Sequence, residues 1–199
     1  MIITHAGGYC FKLVAGATTI AVNPPKAESA FKVPKFGSDV VLISTADPDW
    51  DGVETATHGE KEPFVVRGPG AYEIGEVVVD GYATDGFANT LYALEFDGMH
   101  VLILGALASS KLPQEVREEL DDVDIVFVPV GGAALDAKAA HDLVTSLEPK
   151  LIIPYQVGKG DDLKQFLKAE GAADVKPVDK LTLRAKEVST MDGDVALLS

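Results

Sequence analysis

The chain has 199 residues, 47% hydrophobic and 24% charged, a composition that suits one soluble globular domain over residues 1–199. Its 17 Lys and Arg face 31 Asp and Glu, for a formal net charge of −14; this disfavours a nucleic-acid partner, whose binding draws on cations that neutralise phosphates. The single cysteine, Cys10, rules out an intrachain disulfide, and with no membrane-length apolar run and no signal-peptide pattern the expected location is the cytoplasm.

In chain order, residues 11–14 and 18–22 flank Gly16-Ala17 and predict a hairpin. Lys26, Lys32 and Lys35 follow, the one basic patch worth weighing; apolar and small residues separate them, as expected of a solvated loop. The run from Val40 to Ile43 stops abruptly at polar residues and predicts a strand buried on both faces. Residues 63–66, 71–74 and 77–82 predict further strands, with Gly68, Gly70, Gly75 and Gly81 as turns or bulges.

Three helices are predicted. Residues 113–120 carry Pro113 in the first turn and the acids Glu115, Glu118 and Glu119. Residues 136–147 carry Asp136 as N-cap and an apolar stripe through Ala140, Val144 and Leu147. Residues 161–170 close at Gly171 and space Leu163, Phe166 and Leu167 for one buried face. Strands at 125–128 and 151–153 alternate with these helices, and strands at 181–183 and 195–198 end the chain.

An internal echo organises these elements. Phe11-x-Leu13, a glycine turn and an apolar strand resemble Tyr92-x-Leu94, Asp97-Gly98 and the strand from Val101; Asp39 to Ile43 resembles Asp124 to Val128. A separation of roughly 80–85 residues is too long for a solenoid period and implies two related halves. Each half carries strands and helices, so the expected architecture is α/β, with two sheets face to face and helices outside.

After the Val40 strand come Ser44-Thr45-Ala46-Asp47-Pro48-Asp49-Trp50-Asp51-Gly52. The segment resembles the His-x-His-x-Asp-His loop of the metallo-β-lactamase superfamily, which leaves a strand and holds one or two zinc ions. Other pieces fit the branch similar to L-ascorbate-6-phosphate lactonase: Gly8-Tyr9-Cys10-Phe11, Asn23-Pro24-Pro25, Gly68-Pro69-Gly70-Ala71-Tyr72-Glu73, Asn89-Thr90-Leu91-Tyr92, Pro129-Val130-Gly131-Gly132, Leu135 to Ala140 and Pro149 to Pro154. Their order and spacing carry the resemblance, which implies a four-layer αββα sandwich.

The resemblance also locates a site, and there the sequence departs from the pattern. The histidine positions read Thr45 or Ala46 (the register is open by one), Asp47 and Trp50, and only Asp49 matches. An early histidine falls at Gly8, a later aspartate at Ala106 and a final histidine at Gln156, with Asn23 and Tyr155 nearby. A zinc site needs three or four His, Cys or carboxylate donors, so the degenerate motif implies no metal cofactor. The expected role is that of a non-catalytic binding, regulatory or scaffolding relative whose partner is a small molecule or a protein; self-association is left open. Trp50, a large ring in a ligand's place, is expected to fill the old cleft as a dry core or a shallow apolar pocket. The alternative is a hydrolase of a small lactone, ester or phosphoester holding Zn, Mn or Mg on Asp47 and Asp49, with His5 contributing. Asp47, Asp49 and Asp51 lack a closing Glu for a calcium loop, and the acids alternatively cap the following turn. His58, His100 and His141 show no ligand spacing with one another or with His5. Cys10 has only His5 as a nearby base and reads as a buried apolar residue. Gly7-Gly8 and Gly131-Gly132-Ala133 read as turns.

Overall fold

Strands apolar on both faces, such as Val40–Ile43 and Ile125–Val130, lie inside two stacked sheets, and more exposed strands such as Gly70–Ile74 lie at an edge. The computed structural model describes all 199 residues except 32, 85–87, 113 and 121 and the side chain of 115; Lys32 of the basic patch, Pro113 of the first helix and the Glu115 charge therefore lie outside the described residues.

One sheet runs, edge to edge, through Leu181–Thr182 (β12), Ile2–Gly7 (β1), Cys10–Ala15 (β2), Thr18–Val22 (β3), Val40–Ile43 (β4) and Phe64–Arg67 (β5). The other runs through Asp194–Val195 (β13), Leu151–Gln156 (β11), Ile125–Val130 (β10), Met99–Ile103 (β9), Asn89–Phe96 (β8), Val77–Thr84 (β7) and Gly70–Ile74 (β6). The echo in the sequence has a structural counterpart. β2 pairs antiparallel with β3, which pairs parallel with β4; β8, β9 and β10 repeat that arrangement, with Phe11 opposite Val22 in one half and Tyr92 opposite Ile103 in the other. The glycine turns also fold as expected, with Ala15 opposite Thr18 across Gly16-Ala17 and Gly16 at φ 56°.

Between the sheets lies the main core, with Ile3, Phe11, Leu13, Ile20, Val22, Val40 and Leu42 from one side and Tyr92, Leu94, Val101, Ile103, Ile125, Phe127 and Ile153 from the other. Val126, Val128, Leu102 and Ile152 point outward and meet the helices, chiefly Ala140, Leu143 and Val144 of α2 and Phe166 of α3. The helices are α1 (Gln114–Glu119), α2 (Ala137–Leu147), α3 (Asp162–Ala169) and a single turn, α4 (Ala185–Val188), whose Val188 joins the main core. Asp136 caps α2, accepting from Ala139 N at 2.8 Å. Asp161 does not cap α3 with its side chain and pairs with Lys164 instead. The fourth layer is thinner than the other three. Over β3 and β4, Ala21, Val41 and Ile43 are covered by Phe36, Val53 and Ala56 from loops that carry two 3-10 turns, Pro48–Trp50 and Val53–Thr55. Val40 and Leu42 face inward while Val41 and Ile43 face this layer, which is why β4 reads as an unbroken apolar run.

β10 and β11 run past their sequence-predicted ends, through Pro129 and Pro154. The ladder explains this: Pro129 lies beyond the last β9 pairing (Ile103 with Phe127), and Pro154 lies beyond the β13 pairings (Leu151 with Asp194, Ile152 with Val195). Each proline turns its missing N–H toward a neighbour that has already stopped. The closing strands shrink to two residues each, and Val178–Leu198 is an isolated bridge. Among the described residues no helix is long and apolar enough to cross a membrane.

A buried polar network locks the two sheets at the carboxyl ends of the parallel strands. Asn23 Nδ2 donates to Ser44 Oγ and Asn23 Oδ1 accepts from Ser44 N, both at 2.7 Å. Asn89 Nδ2 donates to Thr84 Oγ1 and Leu104 O at 2.9 Å, and Ala106 N donates to Asn89 Oδ1 at 2.7 Å. Tyr92 OH crosses between sheets to Ile43 O at 2.8 Å. Replacing Asn89 by Ala strands the Ala106 N–H and leaves the Leu104 carbonyl only the Leu107 N–H at 3.3 Å. Urea denaturation of Asn89→Ala is expected to show a loss of about 2–3 kcal/mol, whereas a change within about 0.5 kcal/mol would mean the network is dispensable.

Candidate functional site at the strand ends

The ends of β3, β4, β5, β9, β10 and β11 and the β1–β2 turn all open on one rim of the sandwich, where the candidate positions Gly8, Asp47, Asp49, Trp50, Ala106 and Gln156 lie. The loop after β4 is clamped there by its own chemistry. Asp47 Oδ1 accepts from Asp49 N at 3.0 Å and starts the 3-10 turn, and Trp50 N donates to Asp47 O at 3.1 Å. Lys26 N donates to Asp49 O and Gly52 N to Pro24 O, so the β3–β4 loop lies directly against this one. Gly52 is needed for that approach: a Cβ there would meet Pro25 O at 2.1 Å.

The turn delivers Trp50 inward, to 3% exposure. Its ring lies over Gly8, where a Cβ would fall 2.2 Å from Trp50 Cη2; Gly8 also has φ 56°, the left-handed region that glycine enters freely. Phe31 covers the ring at 4.5 Å between centroids, and Tyr9 meets it edge-on at 5.3 Å and 89°. Tyr9 in turn meets Tyr155 at 6.1 Å, Tyr155 meets Phe11 at 5.0 Å, and Phe11 meets Phe127 at 4.8 Å. An aromatic column thus runs from the rim into the main core.

The remaining motif positions are individually engaged. Thr45 bridges to Asn89, and its Oγ1 accepts from Asp47 N at 3.2 Å. Asp47 and Asp49 are exposed, and Ala46 N is spent on Ala88 O. Ala106 offers only its backbone, held by Asn89. Gln156 turns toward α3: its Oε1 accepts from Leu163 N at 3.3 Å, supplying the cap that Asp161 does not, and its Nε2 donates to Val157 O. Tyr155 is buried and bonds Gly105 O; burial, with Tyr9 adding to it, raises its pKa well above the ordinary tyrosine value. His5 donates from Nε2 to Gly8 O at 3.0 Å and stacks on Phe11 at 4.5 Å, and burial lowers its pKa, holding it neutral. Cys10 is fully buried and its thiol is pushed up to about 12, too high to supply a nucleophilic thiolate.

These donors do not fit a zinc pair. Among the described residues no group of three or more His, Cys, Asp or Glu side chains could hold a metal ion, and the side chains at positions 8, 50 and 106 carry no ligand atom at all.

Beside the loop the rim opens into a cavity of about 320 Å³, lined among others by Lys26, Thr45, Asp47, Asp51, Arg67 and Thr90. Arg67 holds Asp51 bidentately, Nε to Oδ2 at 2.9 Å and Nη2 to Oδ1 at 2.8 Å. Sequence reading missed Arg67. The available signal was its place as the last residue of β5, at the same rim as the motif.

The model of the β-lactamase superfamily domain matches residues 2–156. No curated protein matches the sequence significantly. Among solved structures, a candidate Zn-dependent hydrolase of the metallo-β-lactamase superfamily from Thermotoga maritima is 25% identical, with a TM-score of 0.77 over 99% of this chain and 96% of that one. A candidate metal-dependent hydrolase from Parabacteroides distasonis is 22% identical, with a TM-score of 0.62 over 87% and 90%. Igni18, a metallo hydrolase from Ignicoccus hospitalis, is 16% identical, with a TM-score of 0.63 over 92% and 99%. With the family model covering most of its length and the paired sheets arranged as described, the chain belongs to the β-lactamase superfamily and has the metallo-β-lactamase fold.

Proposed function

We propose that this member of the superfamily is non-catalytic and works by binding a small molecule or a protein at the strand-end rim. The observation that carries this reading is the Trp50 ring seated over Gly8. Hydrolysis of the superfamily's kind needs a cation that brings bound water to a pKa near 7. Here two of the positions that would surround such a cation are filled by one apolar ring, and Asp47 spends an oxygen on its own turn.

Protein purified without a tag or chelator is expected to carry far less than one equivalent of Zn, Mn or Fe and to show no thermal shift on titration with Zn²⁺, Mn²⁺ or Mg²⁺. A stoichiometric metal, together with hydrolysis of a lactone, ester or phosphoester that Asp49→Ala abolishes, would overturn the reading.

A double-mutant cycle tests the packing itself. Trp50→Ala is expected to cost about 3–5 kcal/mol. Gly8→Ala should cost about 3 kcal/mol with Trp50 present and about 1 kcal/mol, the left-handed backbone penalty, in the Trp50→Ala background. Additive costs in chemical denaturation would show that the ring does not depend on the missing side chain.

A further inference from the structure

The cavity of about 320 Å³ beside the loop contains both signs of charge, but the two signs are not equally committed. Asp51 is held by both its oxygens to Arg67, and Asp47 caps its own turn. Lys26, half-buried on the wall, makes no ion pair among the described residues, while its backbone N–H is fixed to Asp49 O. Arg67 uses Nε and Nη2 on Asp51, which leaves the N–H groups of Nη1 without a partner among the described residues. Thr45 Oγ1 accepts from Asp47 N, and its own proton remains to be donated. The uncommitted groups are thus three donors, two of them cationic, beside one carboxylate oxygen, Asp47 Oδ2, so the donors outnumber the acceptor and can take a further group that carries negative charge.

We propose that this cavity binds a small oxyanion, the carboxylate or phosphate group of a metabolite-sized ligand, through Lys26, Arg67 and Thr45. Charge-assisted bonds from an ammonium and a guanidinium suit such a group and are stronger than neutral ones. The volume suits a small ligand at the lower end of ordinary binding pockets. The family pattern has histidine at Thr45 or Ala46, so a hydroxyl donor to the ligand stands at or next to a metal ligand's place. This inference rests on the binding role proposed above and names its ligand chemistry; metal content and turnover test that role, while oxyanion binding tests the cavity, so the two fail separately.

Trp50, the only tryptophan, is buried and does not line the cavity, so occupancy is read directly by isothermal titration calorimetry. Protein at low ionic strength would be titrated with inorganic phosphate, citrate and succinate, with chloride as the reference anion. The expected result is a saturable signal with at least one oxyanion and none with chloride. Lys26→Gln should weaken it about tenfold or more, and Lys61→Gln, which removes an equal charge from the exposed Asp39 pair, should leave it unchanged. No saturable signal up to about 10 mM of any oxyanion, or equal binding by wild type and Lys26→Gln, would overturn the proposal. An equal loss in both lysine variants would do the same, because it would reduce the effect to net charge.

Discussion

The contact on which the rim depends is that of one indole with one absent side chain. Trp50 enters the space over Gly8 because glycine has no Cβ and accepts φ 56°. The two residues lie on different strand connections, the β1–β2 turn and the loop after β4, and neither replacement works alone. A side chain at 8 would expel the ring, and a smaller residue at 50 would leave a void against Phe31 and Tyr9. Once the ring is in place, Tyr9, Tyr155, Phe11 and Phe127 continue it as a ladder of edge-on contacts into the core. The space over Gly8 is thereby joined to the hydrophobic interior, and the cavity lined by Lys26 and Arg67 lies beside it.

Much of the fold was legible before any coordinates. The internal echo anticipated two halves with the same strand pairing because apolar runs buried on both faces, such as Val40 to Ile43 and Ile125 to Val128, are hard to place anywhere but in the middle of a stacked sheet. The α2 cap at Asp136 was legible because capping is a local exchange between one carboxylate and one N–H. Local reasoning failed where a tertiary partner took over. At α3 the cap comes from Gln156, on a neighbouring strand, and at Pro129 and Pro154 strand continuation depended on where other strands stop.

At the rim, the place of the loop after β4 was legible, because it follows directly from the buried β4 run, and the inward seat of Trp50 fits its large apolar ring. The buried ring makes a dry core on the Trp50 side, and the cavity next to it mixes charged side chains with apolar ones such as Ile43, Pro48 and Ala88. Arg67 and Lys26 come together through the parallel β4–β5 pairing and the Lys26–Asp49 backbone bond, and neither leaves a mark in a linear motif.

The thin fourth layer has a consequence of its own. Over one sheet three helices bury a continuous apolar face, whereas over β3 and β4 a few side chains from two irregular loops do that work. Segments with few buried contacts are the ones that open at the least cost. The same loops hold Trp50, carry Lys26 and wall the cavity, so the rim is built on the layer with the fewest covering apolar side chains. A ligand of the proposed kind would be read out there as quieting of that layer, a change in order rather than in chemistry.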